Sequence, residues 1–257
     1  ILGSSRLEIA KEKSAILRKD NISMLGEVDI NQKILKVLKS VNTNLKEAGK
    51  DFYIKDNKTD GTWDFVLHSK KKKKEITGIK YNNLLPENAS CALAAYSYLG
   101  FDIDQSLTEV IDKTFLIGRR ELIQNKILLD VCHNPSSSAS LADYIQSNIP
   151  SGTKVHAILG LMEDKDIKGI VEPLRHLIYS WHALTLPSSR AINDREIKQR
   201  LKENHLNNIS YGGNIEKVIL EKLHNNLDTD IILIFGSFLI ISESHIALKN
   251  ILKNKIE

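Results

Sequence analysis

Long apolar runs are missing from this 257-residue sequence. The longest, Ile231-Ile232-Leu233-Ile234-Phe235, has the length of a buried strand, whereas a membrane-spanning helix needs about 20 apolar residues. A membrane is therefore not an expected partner. Cysteine is scarce: Cys91 and Cys132 can build no disulfide framework and have no metal-ligand spacing, which suits reduced thiols in the cytoplasm. No signal peptide is visible, and a start at Ile1 rather than Met is compatible with a native N-terminus further upstream. No histidines are paired at metal-ligand spacing; His68, His156, His176, His182, His205, His224 and His245 read as surface or core residues. Nowhere does a glycine-rich loop end in Lys-Ser or Lys-Thr, the usual cradle for nucleotide phosphates.

Charge of one sign is also modest, at a net +4, with much of the excess in Lys70 to Lys74. That run has no interleaved aromatics, so it reads as a solvated loop, and nucleic acid is not an expected partner. What is present is a globular composition, 42% hydrophobic and 26% charged, with length for one large domain or two ordinary ones.

The first half predicts a short helix within Ser5 to Arg18 and a clearer one over Asn31 to Ala48, capped by Asn31 and ended by Gly49. Phe52-Tyr53-Ile54 and Trp63 to Leu67 predict two strands around a turn at Asp60-Gly61. Asn88 to Leu99 predicts an alanine-rich buried helix closed by Gly100, and Leu107 to Thr114 another. From there strand-like runs (Ile127 to Val131, Val155 to Gly160, His182 to Leu186, Ile231 to Phe235) alternate with helical ones (Ser138–Gln146, Ile167–Leu177, Asp194–Glu203, Ile215–Leu223). Alternation of this kind predicts a parallel sheet with helices on both faces. The boundary falls near Phe115 to Arg119. The first half holds few strands for an independent sheet, as in a domain cut in two, and such a piece exposes apolar surface.

Four segments have a chemical reading, each where a strand ends or a helix opens. In Leu129-Asp130-Val131-Cys132-His133-Asn134-Pro135, Asp130 can accept from ribose hydroxyls and His133 can donate to a phosphate or carboxylate, beside a helix N-terminus. A plain strand end with capping residues accounts for the segment equally well. Ile117-Gly118-Arg119-Arg120-Glu121 places a guanidinium at a domain boundary, though a basic linker is the better reading on spacing alone. Gly236-Ser237-Phe238 offers N–H groups and a hydroxyl to an anion, or an N-cap. Glu8 to Ile16 is a charged helix face in which nothing local singles out Lys13. Gly160 to Asp166 is a charged loop, beside a cleft or merely solvated.

Taken in order, "LG…IAKEKSAI", "ENASCALAAYSYLG", "IGRREL", "LLDVCHNP", "ILGLMEDKDI", "LPSSRAINDREI" and "LIFGSF" resemble the bacterial dihydrofolate synthase/folylpolyglutamate synthase family of the Mur ligase superfamily. The resemblance implies an α/β fold: a partial central ATPase domain over 1–116, then a Rossmann-like C-terminal domain with a mainly parallel sheet over 117–257. It implies that ATP phosphorylates a carboxylate and that the amine of L-glutamate attacks the acyl phosphate, the substrates being dihydropteroate and folates. Carried onto this sequence, Lys13 is the carbamylated lysine, acting on catalysis and indirectly on a magnesium ion, with potassium a further candidate cation. Asn88, Arg119 and Asp130 match contacts to the base, phosphates and ribose of ATP; His133 matches a catalytic residue beside the phosphates, and Ser237 one near the incoming glutamate. The family's Pro-Gly-Arg is Ile117-Gly118-Arg119 here, its histidine after "GSF" is Leu239, and its "KAGI" is Lys13-Ser14-Ala15-Ile16. The family's P-loop and metal-binding Glu and His would precede Ile1, so the resemblance implies a fragment inactive alone, and a cytoplasmic monomer at full length. A Mur-type peptide ligase and a non-catalytic nucleotide-binding module are the alternatives.

Overall fold

The computed structural model describes residues 5–57, 59–68, 73–225, 227 and 229–253. Leu2 and Gly3 of the first motif, and Lys70 to Lys72 of the lysine run, lie outside them. The chain divides into two compact units, Ile1–Phe115 and Leu116–Glu257.

The first unit contains α1 (Arg6–Ser14), β1 (Ser23–Leu25), α2 (Gln32–Val41), β2 (Leu45–Glu47), β3 (Phe52–Asn57), β4 (Thr62–His68), β5 (Lys73–Lys80), α3 (Pro86–Tyr98) and α4 (Leu107–Lys113). α2 opens at the expected cap, with Asn31 accepting from the Lys33 N–H, but ends seven residues early. The cause is Asn42. Fully buried, its amide donates to the carbonyls of Arg18 and Asn21 and to Ser23 Oγ, and its oxygen accepts from the Asn44 N–H. Those bonds turn the chain, and Leu45 enters β2, parallel to β1. Gly49 (φ 82°) therefore turns the chain into β3 rather than ending the helix.

The hairpin of β3 and β4 forms around Gly61 (φ 63°), and a third, unanticipated strand pairs with it antiparallel. Lys73 and Lys74, expected in a loop, open that strand. Trp63, Phe65 and Leu67 alternate inward from β4 onto Ile76, Ile79, Ala89 and Leu93. The pattern was hidden because β5 reads Lys-Lys-Glu-Ile-Thr-Gly-Ile-Lys, with only two apolar residues facing the core.

The second unit is a six-stranded sheet with the order β10-β9-β8-β11-β7-β6. Its elements run β6 (Glu121–Ile123), β7 (Ile127–Asp130), α5 (Pro135–Asn148), β8 (Val155–Leu159), α6 (Ile167–Val171), β9 (Ile178–Ala183), α7 (Asp194–Glu203), β10 (Ile209–Tyr211), α8 (Ile215–Asn225), β11 (Ile231–Phe235) and α9 (Phe238–Lys253). All neighbours are parallel except the β6–β7 pair. The mainly parallel α/β architecture is the one the alternation predicted. β11 explains its own unbroken apolarity: Ile231, Leu233 and Phe235 face the core of α5 to α7, and Ile232 and Ile234 face that of α8 and α9. The helix over Ile167–Leu177 breaks at Val171 into a 3-10 turn, because Pro173 cannot continue it. β9 spans Ile178–Ala183, not His182–Leu186; Leu184 makes one further bond to β8, its N–H donating to the Leu159 carbonyl (2.9 Å), and Leu186 is buried beyond the strand, so apolarity there reports burial. β6 and β10 were not anticipated, and of α9 only the N-cap at Gly236-Ser237 was.

Candidate functional site

Register puts the ends of three central strands level: Phe235 pairs with both Asp130 and Leu159. The loops beyond them, Val131 to Asn134, Gly160 to Asp166 and Gly236-Ser237, therefore share one edge of the sheet, where open α/β sheets bind ligands. Close approach fixes their glycines. A Cβ on Gly236 (φ 122°) would lie 2.4 Å from the Gly160 carbonyl oxygen. Side chains there would push the strand ends apart.

At this edge Asp130 is buried. Its carboxylate accepts from the backbone N–H of Arg120 (3.0 Å) and of Cys132 (2.7 Å), tying together the two segments that flank β6 and β7. Burial raises its pKa above the usual carboxylate range, against the pull of those two N–H groups and the charges of Arg119 and Arg120. Burial likewise pushes the Cys132 thiol up to about 11, so this cysteine is an inert packing residue.

His133 Nδ1 lies 2.8 Å from the Val131 carbonyl oxygen. Only a protonated nitrogen can bond that acceptor, so the contact places the proton on Nδ1 and leaves Nε2 for a ligand. Asn134 and Ser137 form a reciprocal capping box, and α5 follows with Pro135 at its first position. Ser237 Oγ accepts from the Ile240 N–H (3.1 Å), so it caps the start of α9. Phe238, to which the sequence pattern assigns no role, stands 64% exposed. The Arg119 guanidinium lies 5.9 Å from its ring centroid and the His133 ring 6.0 Å. The structure thus gathers Arg119, Asp130, His133 and Ser237 around an exposed aromatic. A large exposed phenyl between two cationic or protonatable groups has no packing reason, and that is the signal by which it is found.

Arg120, adjacent to Arg119, turns away: its guanidinium bonds Ser140 Oγ (2.6 Å) and lies over the Tyr144 ring. The Gly160 to Asp166 loop is pinned rather than merely solvated, with Met162 bridged to Ala191, Glu163 bonded to the Arg190 carbonyl and Asp166 capping α6. A cavity of about 550 Å³ lies at the opposite edge of the sheet, lined in part by Lys154, Tyr179 and His205, and contains none of the motif residues.

In the first unit Lys13 is exposed near the end of α1, and Asn88 is exposed in the first turn of α3. Among the described residues no three His, Cys, Asp or Glu side chains gather as a metal site, and no helix is long and apolar enough to cross a membrane.

Residues 118–238 match the family described as Mur ligase, glutamate ligase domain. A dihydrofolate synthase/folylpolyglutamate synthase of Buchnera aphidicola (subspecies Schizaphis graminum) is 32% identical over 249 residues, covering 94% of this chain and 56% of that protein. The Haemophilus influenzae protein of the same name is 27% identical, over 94% of this chain and 59% of its own length. The structure of a bifunctional folylpolyglutamate synthase/dihydrofolate synthase with Mn, AMPPNP and L-glutamate bound superposes with a TM-score of 0.82 at 23% identity, over 97% of this chain and 58% of that one. The Escherichia coli FolC complex with DHPP and ADP gives a TM-score of 0.82 at 22% identity, over 100% and 59%. The chain thus spans a little over half the length of these relatives. Over residues 118–238 the chain is thus similar to the Mur ligase glutamate ligase domain, and over nearly all of its length to the dihydrofolate synthase/folylpolyglutamate synthases.

Proposed function

We propose that this chain supplies the glutamate-ligase side of an ATP-dependent ligase that joins L-glutamate to dihydropteroate or folates. The observation that carries the reading is the Arg119–Phe238–His133 cluster at the level ends of β7 and β11, within a Mur ligase glutamate ligase domain. Arg119 and His133 Nε2 suit a phosphoryl group, whose charge is spread over three equatorial oxygens as it passes to a carboxylate to give an acyl phosphate. The glutamate amine then displaces phosphate and forms the amide. Ser237, at the start of α9, sits where a glutamate carboxylate would meet a helix N-terminus. Asp130 orients the Arg119 and His133 segments, and its remaining lone pairs suit a ribose hydroxyl. Asn88 takes the base side of ATP, and Lys13 acts as a carbamate. Magnesium would need ligands beyond those gathered among the described residues. The working enzyme is a cytoplasmic monomer.

Titration with ADP tests the phosphate contacts. Arg119→Ala is expected to weaken binding about tenfold, the cost of one charge-assisted contact of ~1.5 kcal/mol. Binding unchanged by both Arg119→Ala and His133→Ala would sink the assignment. Because its 257 residues hold no phosphate-cradling loop, the chain alone is expected to form no amide from ATP, glutamate and dihydropteroate.

A further inference from the structure

The backbone on each side of Arg119 is held by a buried carboxylate. On one side, Gly118 N–H donates to Glu121 Oε2 (2.7 Å), and the Gly118 carbonyl accepts from the Val131 N–H (2.8 Å). On the other, Arg120 N–H donates to Asp130. Both flanking residues are left-handed, Gly118 at φ 67° and Arg120 at φ 47°. For Arg120 that conformation costs on the order of 1–2 kcal/mol, and it persists only where bonds of this kind over-determine it. Gly118 is also sterically required, since a Cβ there would lie 2.7 Å from the Ile241 side chain and 3.1 Å from that of Val131.

Glu121 is 7% exposed, and the same Oε2 that caps Gly118 lies 3.1 Å from Nε2 of His245, on α9. α9 is also the helix that begins with Phe238. His245 thus links the turn that carries Arg119 to the helix that carries the ring against which Arg119 rests. We propose that Glu121, braced by His245, is a positioning residue: it locks the left-handed Gly118 turn so that the Arg119 guanidinium is presented against Phe238 at the ligand edge. This rests on the reading that Arg119 meets a phosphate. A guanidinium on a free linker would lose rotamer and backbone entropy on each binding event, and a clamped one has already lost it.

Two measurements on the 257-residue chain separate the inference from the reading beneath it. The first uses the Arg119 Nε–Hε resonance in ¹⁵N NMR. In the wild type, Phe238→Leu is expected to move this resonance by removing the ring beside it. In a Glu121→Ala background the same substitution is expected to leave it where it is, because the guanidinium has already left the ring. Glu121→Gln, which keeps an acceptor for Gly118, is expected to restore the response. An undiminished response to Phe238→Leu in Glu121→Ala overturns the proposal. If Glu121→Ala does not fold, His245→Ala, which leaves the carboxylate in place, is read the same way and should at least halve the response; a full response overturns it. The second is ADP affinity. Glu121→Ala is expected to weaken binding about fivefold alone and to add nothing to Arg119→Ala, the non-additivity of residues acting through one contact. Additive losses overturn the positioning role. Arg119→Ala binding as tightly as wild type overturns the phosphate reading instead, whatever the resonance shows.

Discussion

The two units of the chain solve the burial problem differently. The second sandwiches a parallel sheet between two helical layers, so every residue of β7, β8 and β11 is buried and each face has its own core. Among its described residues the first has two small sheets and two modest clusters, and leaves Ile16, Val28, Leu99, Phe101, Val110 and Phe115 more than half exposed. A three-layer unit draws its stability from area, whereas a unit of small clusters depends on individual hydrogen bonds and turns.

Substitutions matched across the two units sharpen that contrast. Phe235→Ala, in the middle of the second unit, is expected to cost about 3–5 kcal/mol in chemical denaturation; Phe101→Ala, stacked on Tyr96 but 52% exposed, should cost about 1 kcal/mol. Near-equal losses would break the comparison. Among buried polar groups the order should reverse. Asn42→Ala in the first unit strands two carbonyls, a hydroxyl and an N–H, for a loss of about 2–4 kcal/mol, while Ser237→Ala in the second removes one cap for about 1 kcal/mol. For glycines, Gly236→Ala meets the Gly160 carbonyl oxygen at 2.4 Å and should cost about 3 kcal/mol, against about 1 kcal/mol for Gly78→Ala, which meets nothing within 4 Å.

The smallest effect is the pH dependence. Burial lowers the pKa of both His156 and His182, which bond Ser180 and Ser210 from the sheet of the second unit. A histidine with a folded pKa below its unfolded value binds more protons when unfolded. Stability of the second unit is therefore full above about pH 6.5 and falls as the pH drops below it towards the folded values. Urea midpoints from pH 8 to 5 check the sign; a second unit that gains stability on acidification would contradict it.

How much could be read from sequence follows the same division. In the second unit, the βα alternation and the uniform apolarity of Ile231 to Phe235 were legible because a parallel sheet covered on both faces writes its burial into consecutive residues. The strand end at Phe235, and that of β7 to within one residue (Val131 expected, Asp130 found), were legible for the same reason, and they located the candidate site's edge. In the first unit α2 was read too long, since Ile34 to Leu45 keeps an apolar pattern through the turn that Asn42 makes by bonding residues 19 to 24 positions away. β5 escaped notice because lysines cover its outer face.

By itself, then, the sequence determined the architecture of the second unit, the glycines at its strand ends and the family resemblance carried by motifs in both units. Those properties are local: periodicity, runs and spacing are set by neighbours in the chain. Only the tertiary structure decided that Phe238 stands between Arg119 and His133, and that Glu121 meets His245 across 124 residues. Such pairings depend on which strand lies beside which, and no local pattern encodes a bond between residues brought together by a crossover of the sheet.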